Sequence, residues 1–306
     1  MQELPSVLVT GASGRLGRRI VEILLESGAA RVIATTRSPG RLADLARRGV
    51  VVRRASFDEP GALEQTFEGA ERMVLVSTDC GYRCEEQHAA AIDAAQRAGV
   101  KHVVFTSRWH PERSPDLASS GALRRTEIAL ARTDLSWTIL RNNLYTEALF
   151  DLLDLPAAVA RGEIVAATGD GAVSIVTRDD CARAAAAAVT SPDTRSRILE
   201  IGGPAEVRVH QIAALMSELI GKQLRYRPVS REVMRKRLAE HGTPPAISEA
   251  IIAFHVAIAS GAFAGDSDDF TTLTGTVPTS FVGYLKTHIE EAKEWAKGLQ
   301  SWTRVS

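Results

Sequence analysis

An α/β fold built on a doubly wound parallel sheet is predicted by three observations. Short apolar runs alternate with amphipathic stretches through the first half of the chain. The runs are apolar on consecutive residues rather than on every second one, as in strands covered on both faces. A glycine-rich turn directly follows the first run and opens the first amphipathic stretch.

In chain order, the expected strands are Val7–Thr10, Arg31–Thr36, Val50–Ala55, Met73–Ser77, His102–Thr106 and Trp137–Arg141. Helices are expected between them near 16–27, 41–48, 62–68, 84–98 and 118–132. Past residue 150 the rhythm loosens. Ile164–Thr168, Ile198–Ile201 and Leu224–Arg227 read as strands, and Asp179–Val189 and Val209–Ile220 as helices. Further helices are expected near 230–241, 245–260 and 281–299, with a loop over Gly261–Thr276. The pattern predicts a sheet domain over 1–150 and a smaller mixed, mostly helical lobe over 151–306. Part of 164–202 is free to rejoin the first sheet.

The 306 residues suffice for a sizeable core in one large or two closely packed domains. Equal numbers of basic and acidic residues, 37 each, argue against nucleic acid and acidic membranes as partners. No stretch reaches the ~18 uninterrupted apolar residues that a span needs, and Glu3 and Pro5 break any leader-like start. A cytoplasmic protein, monomeric or homodimeric, is expected. Cys80, Cys84 and Cys181 are odd in number and scattered, which gives neither a disulfide framework nor a metal spacing. Three reduced thiols and no metal are the expectation.

Function is most legible in Thr10-Gly11-Ala12-Ser13-Gly14-Arg15-Leu16-Gly17. In a βα turn, G-x-x-G-x-x-G is a dinucleotide signature, and the fold is then a Rossmann domain. Gly11 permits the tight turn, Gly14 lets backbone approach a pyrophosphate, and Gly17 allows close packing. Ser13, Arg15 and Leu16 fill the turn, and the helix start offers unpaired N–H groups to phosphate. A site for NAD places a carboxylate at the end of the second strand, where this chain has Arg37, with Arg41 one helical turn on. Guanidinium forks at 15, 37 and 41 suit a 2′-phosphate, so NADP(H) is the expected cofactor. Asp58 is placed for the adenine, Ser77 and Thr78 for the ribose and nicotinamide, and Thr106 and Ser107 for the same strand edge.

These residues, with Ala98-Gly99-Val100-Lys101-His102, Phe105-Thr106-Ser107, Leu140-Arg141-Asn142-Asn143-Leu144-Tyr145 and Ser267-Asp268-Asp269-Phe270, resemble the NmrA-like, atypical short-chain dehydrogenase/reductase family over nearly the whole chain. Within it the similarity is to type-2 NADPH:quinone oxidoreductases and triphenylmethane-dye reductases. The resemblance implies an NADP domain, a smaller C-terminal lobe, and a cleft between them for the nicotinamide and a flat conjugated substrate, without flavin or metal.

The chain departs from the standard short-chain dehydrogenases, which act on a carbonyl oxygen through Tyr-x-x-x-Lys. None of Tyr82, Tyr145, Tyr226 and Tyr284 is followed four residues later by lysine. The resemblance puts a lysine of some relatives at Ile128, and no lysine lies between Lys101 and Lys222. Two readings remain: a reductase whose quinone, dye or other planar aromatic acceptor needs little acid help, or a non-catalytic NADP-sensing regulator. The first includes tailoring of an aromatic natural product. Substrate contacts are expected from Cys80, Tyr82, Trp109, Phe150 and Phe254, with His110, Asn143 and Tyr145 as the catalytic candidates.

Overall fold

The computed structural model describes residues 4–78 and 83–296. Cys80 and Tyr82 lie outside them.

Strands β1 (Ser6–Val9), β2 (Arg31–Thr36), β3 (Val51–Arg54), β4 (Arg72–Leu75), β5 (His102–Arg108) and β6 (Ser136–Asn142) alternate with helices α1 (Arg15–Ser27), α2 (Ala43–Arg47), α3 (Leu63–Phe67), α4 (Cys84–Arg97) and α5 (Ala118–Ala131). After β6 come α6 (Thr146–Leu152), α7 (Leu155–Arg161), β7 (Glu163–Ala166), β8 (Ala172–Val173), α8 (Arg178–Thr190), β9 (Arg197–Ile201) and β10 (Val207–Arg208). The chain continues through α9 (Val209–Ile220), β11 (Arg225–Pro228), α10 (Arg231–Glu240), α11 (Pro245–Ala259), α12 (Asp269–Thr274), α13 (Phe281–Thr287) and α14 (Ile289–Ala296).

The main sheet has the order β3-β2-β1-β4-β5-β6-β9, with every pair parallel. Strand alternation divides its side chains between two cores. Val7, Val9, Val74 and Leu140 pack under α1 and the alanine-rich α8, whereas Leu8, Met73, Leu75 and Phe105 meet Phe67, Ile92 and Leu130 on the other face. Each fully buried aliphatic side chain contributes about 1.5–3 kcal/mol. The sheet is thus held from both sides, and its carboxyl edge is left to build a site.

The chain leaves the sheet after β6 and returns with α8 and β9. Between and beyond them, the lobe gathers a third core around Leu149, Phe150, Ile212, Met216, Ile258 and Phe263. Two small pairings, β8 with β10 and β7 with β11, brace it.

Several elements differ from expectation. The lobe contains α6 and α7, and α12 forms inside the stretch expected to be loop, because Phe270 plugs the first core and draws a short helix with it. Asp269 Oδ2 accepts the Glu200 N–H at 2.7 Å, which ties this segment to β9. The last expected helix is split at His288 into α13 and α14. Cys181 is a buried free thiol, but Cys84 is disulfide-bonded, which corrects the expectation of three reduced cysteines. Among the described residues no helix is long and apolar enough to cross a membrane.

Candidate active site

The glycine turn is held between two strands. Thr10 Oγ1 accepts the Val76 N–H at 3.0 Å, and the Ala12 N–H donates to the Thr35 carbonyl at 3.0 Å. Gly11 has φ +59°, a left-handed conformation that costs other residues about 1–2 kcal/mol. A Cβ on Gly17 would lie 2.4 Å from the Gly11 carbonyl oxygen, so only glycine lets α1 start this close to the turn. Ser13 Oγ accepts the Thr36 hydroxyl at 2.7 Å, joining the turn to the end of β2.

Beside the turn lies a cavity of about 540 Å³ lined by Gly11, Ser13, Gly14, Arg15, Leu16 and Gly17 and by Arg37, Arg41, Asp58, Ser77 and Thr78. Three guanidinium groups and the N-terminus of α1, whose first turn carries no acid, make it an anion cradle. A nucleotide with a 2′-phosphate fits this donor set. Asp58 accepts from Gln87 Nε2 at 2.8 Å and faces Arg83 at 2.9 Å, so its carboxylate is oriented by α4 and the turn before it. Gln87 lines the cavity too and went unseen in the sequence.

A second cavity of about 710 Å³ adjoins the first, and Ser77 and Thr78 line both. Thr106 lines neither. It stands behind Ser77, accepting its N–H at 2.9 Å. Ser107 lines the larger cavity and donates to Glu127 Oε1 at 2.6 Å. Glu127 is itself buried against Arg141 (2.7 Å), which reaches Glu200 at 3.1 Å. Burial works against the Arg141 charge, but these carboxylates hold it firmly cationic.

The β6 end supplies the polar wall. Asn142 donates through Nδ2 to the Tyr145 hydroxyl at 3.3 Å, while its buried Oδ1 has no hydrogen-bond partner among the described residues. Burial pushes the Tyr145 phenol well above its usual range, so it stays protonated and can donate. Asn143 also lines the cavity, but its amide is engaged: Nδ2 donates to the Phe263 carbonyl at 3.1 Å and Oδ1 accepts the Leu144 N–H at 2.7 Å. Asn142, next to it in the same motif, is the one with an available acceptor. Strand position alone did not distinguish the two.

Phe254 lines the cavity, with Phe263 nearly parallel to it at 6.2 Å between centroids. The other aromatic expectations are corrected. Trp109 is 1% exposed and sits against Gly202 and Gly265, whose missing side chains make its room. Phe150 meets Phe281 and Tyr284 edge-on inside the lobe core. Neither lines the cavity. His110 does not line it either: the chain turns there with φ +35°, and Nδ1 faces Glu112 (3.1 Å) and Glu200 (3.6 Å). Ile128 is 39% exposed on the far face of α5, so a lysine there would not reach the site. The α5 residues that do face the cavity, Ala118, Ser119 and Leu123, include no base. Among the described residues no cluster of His, Cys, Asp or Glu is grouped to hold a metal.

Residues 11–192 match the family model described as NAD(P)H-binding. The chain is 31% identical over 285 residues to quinone oxidoreductase 2 of Escherichia coli K12, covering 92% of this chain and 98% of that protein. Its fold superimposes with a TM-score of 0.87 on the NADPH complex of an E. coli NADPH-dependent quinone oxidoreductase, at 30% identity over 93% of this chain and 99% of the other. It matches Citrobacter sp. triphenylmethane reductase complexed with NADP(H) at a TM-score of 0.86 and 31% identity, covering 92% and 99%. The chain therefore belongs to the NAD(P)H-binding family and is an NADP-dependent oxidoreductase of the NmrA-like, atypical short-chain dehydrogenase/reductase type.

Proposed function

We propose that this protein reduces a quinone or another planar conjugated aromatic acceptor at the expense of NADPH. The observation that carries the reading is the meeting of the two cavities at Ser77 and Thr78, with no lysine or histidine among the described residues that line the larger one. Bound NADPH supplies a hydride. The arginines at 15, 37 and 41 and the glycine turn hold the nucleotide, and Ser77 and Thr78 stand where its reactive end meets the second cavity. Phe254 and Phe263 offer a flat wall to a planar acceptor. Asn142 and the protonated Tyr145 orient a polar group on it.

A quinone suits a site without a tyrosine–lysine pair, because hydride arrives at an electron-poor conjugated system and the resulting charge is delocalised onto oxygen. Orientation then supplies most of the rate. The relatives' names point the same way, to quinones and to dyes. Tailoring of an aromatic natural product falls within the same chemistry.

Purified protein incubated with NADPH and a panel of quinones and dyes should show loss of NADPH absorbance. Tight NADPH binding with no loss across the panel overturns the reading and leaves a nucleotide-sensing regulator in its place.

A further inference from the structure

Gln87, one turn into α4, is half-buried and lines the nucleotide cavity. Its amide spans two residues that serve opposite ends of that cavity. Nε2 donates to Asp58 Oδ1 at 2.8 Å, and Oε1 accepts the Thr78 hydroxyl at 3.4 Å. A carboxylate only accepts hydrogen bonds, so Asp58 fixes which end of the amide it faces and leaves the oxygen for Thr78. Arg83 also meets Oδ1 at 2.9 Å, so both contacts draw on one oxygen and Oδ2 is left for a donor on the nucleotide. The exocyclic amino group of adenine is such a donor. Thr78 lines both cavities, and His88, the next residue of α4, faces its N–H and its hydroxyl at 3.1 Å each. Two neighbouring residues of one helix thus hold Thr78, and Gln87 reaches on from it to Asp58.

We propose that Gln87 is a positioning residue that couples the two ends of the cofactor: an adenine amino group on Asp58 orders its side chain, and the ordered side chain holds Thr78 where the nicotinamide end enters the larger cavity. The inference rests on the proposed seating of NADPH, with adenine at Asp58 and the reactive end at Ser77 and Thr78. A glutamine side chain has rotamer freedom that it gives up when it bridges two groups. Whichever half of the nucleotide binds first bears that ordering, and the other half meets a bridge already formed. Binding at a part of the cofactor that does not react is thereby used to place the part that does.

The test divides NADPH into two probes, reduced nicotinamide mononucleotide and adenosine 2′-monophosphate, which carry its two ends without the anhydride that joins them. Fluorescence of the reduced nicotinamide gives the affinity of the first and calorimetry that of the second, each with the other absent and at saturation. In the wild type adenosine 2′-monophosphate should tighten the mononucleotide by about fivefold or more, and the mononucleotide should tighten it by the same factor, as linkage requires. Inosine 2′-monophosphate, whose base has a carbonyl in place of the 6-amino group, should change the mononucleotide by less than about twofold. Gln87→Leu and Thr78→Val should each bring the factor for the adenosine probe below about twofold. The factor is a ratio, so a general loss of affinity in a variant does not enter it. No coupling in the wild type, equal coupling by the adenosine and inosine nucleotides, or coupling retained in Gln87→Leu overturns the proposal. Oxidation of the reduced mononucleotide by 1,4-naphthoquinone is followed separately. If the binding coupling holds and no quinone is reduced, the positioning role stands and the reductase reading falls.

Discussion

The backbone N–H of Thr78 donates to Nε2 of His88 across 3.1 Å. The other ring nitrogen faces Thr126 Oγ1 at 3.0 Å, and that hydroxyl donates to the Ala122 carbonyl at 2.9 Å. The ring is therefore the neutral form carrying its proton on Nδ1, an assignment made from the hydrogen-bond pattern. It fixes the residue at which the two cavities meet.

Burial lowers the His88 pKa from 6.5 to about 4, and His102 is lowered equally, chiefly by burial. A histidine whose folded pKa is depressed contributes stability that is full above pH 6.5 and is lost as pH falls toward 4, since the unfolded chain binds the proton first. Each ring accounts for on the order of 2–3 kcal/mol across that window. Urea unfolding should show the wild type losing stability over this range and His88→Gln losing less. Identical slopes for the two would contradict the account.

Arg37 lines the nucleotide cavity where an NAD site has a carboxylate. Arg37→Asp should weaken NADPH by about a hundredfold, through lost charge-assisted hydrogen bonds and new repulsion, and NADH by only severalfold. Fluorescence titration with both nucleotides checks this. Equal losses would show that Arg37 does not touch the 2′-phosphate.

Glu127 and Arg141 form an ion pair whose side chains are only 2% and 8% exposed. Breaking such a pair from one side strands a buried charge and costs about 3–5 kcal/mol. Glu127→Gln should fall toward the lower end, because Glu200 still faces Arg141. Urea unfolding measures it, and a loss below about 1 kcal/mol would mean that the network relaxes freely.

His110 stands outside the larger cavity, against Glu112 and Glu200. His110→Ala should therefore keep NADPH oxidation within about twofold of the wild type. A large fall in kcat with unchanged NADPH affinity would return His110 to the chemistry.

Spacing along the chain carries what depends on local backbone. The six strands and the five helices between them are legible because strands covered on both faces must be apolar throughout. The glycine turn is legible because a left-handed φ at Gly11 and the close approach at Gly17 leave few other residues possible. His88, Gln87 and Asn142 were not legible. Their neighbours come from other elements, and a histidine on an amphipathic helix reads the same whether or not a threonine waits for it on the helix packed alongside.

The sequence by itself determined the Rossmann half, the phosphate cradle and the absence of a tyrosine–lysine pair, since each is a matter of residue type at a fixed separation. Only the tertiary structure decided which of Arg108, Trp109 and His110 enters the cavity and which of Asn142 and Asn143 keeps a free acceptor. Those choices are made where the lobe docks on the sheet. There the gaps left by Gly202 and Gly265 take the indole of Trp109, and the Phe263 carbonyl takes the amide of Asn143. Neither partner is near in sequence, so no pattern along the chain records the outcome.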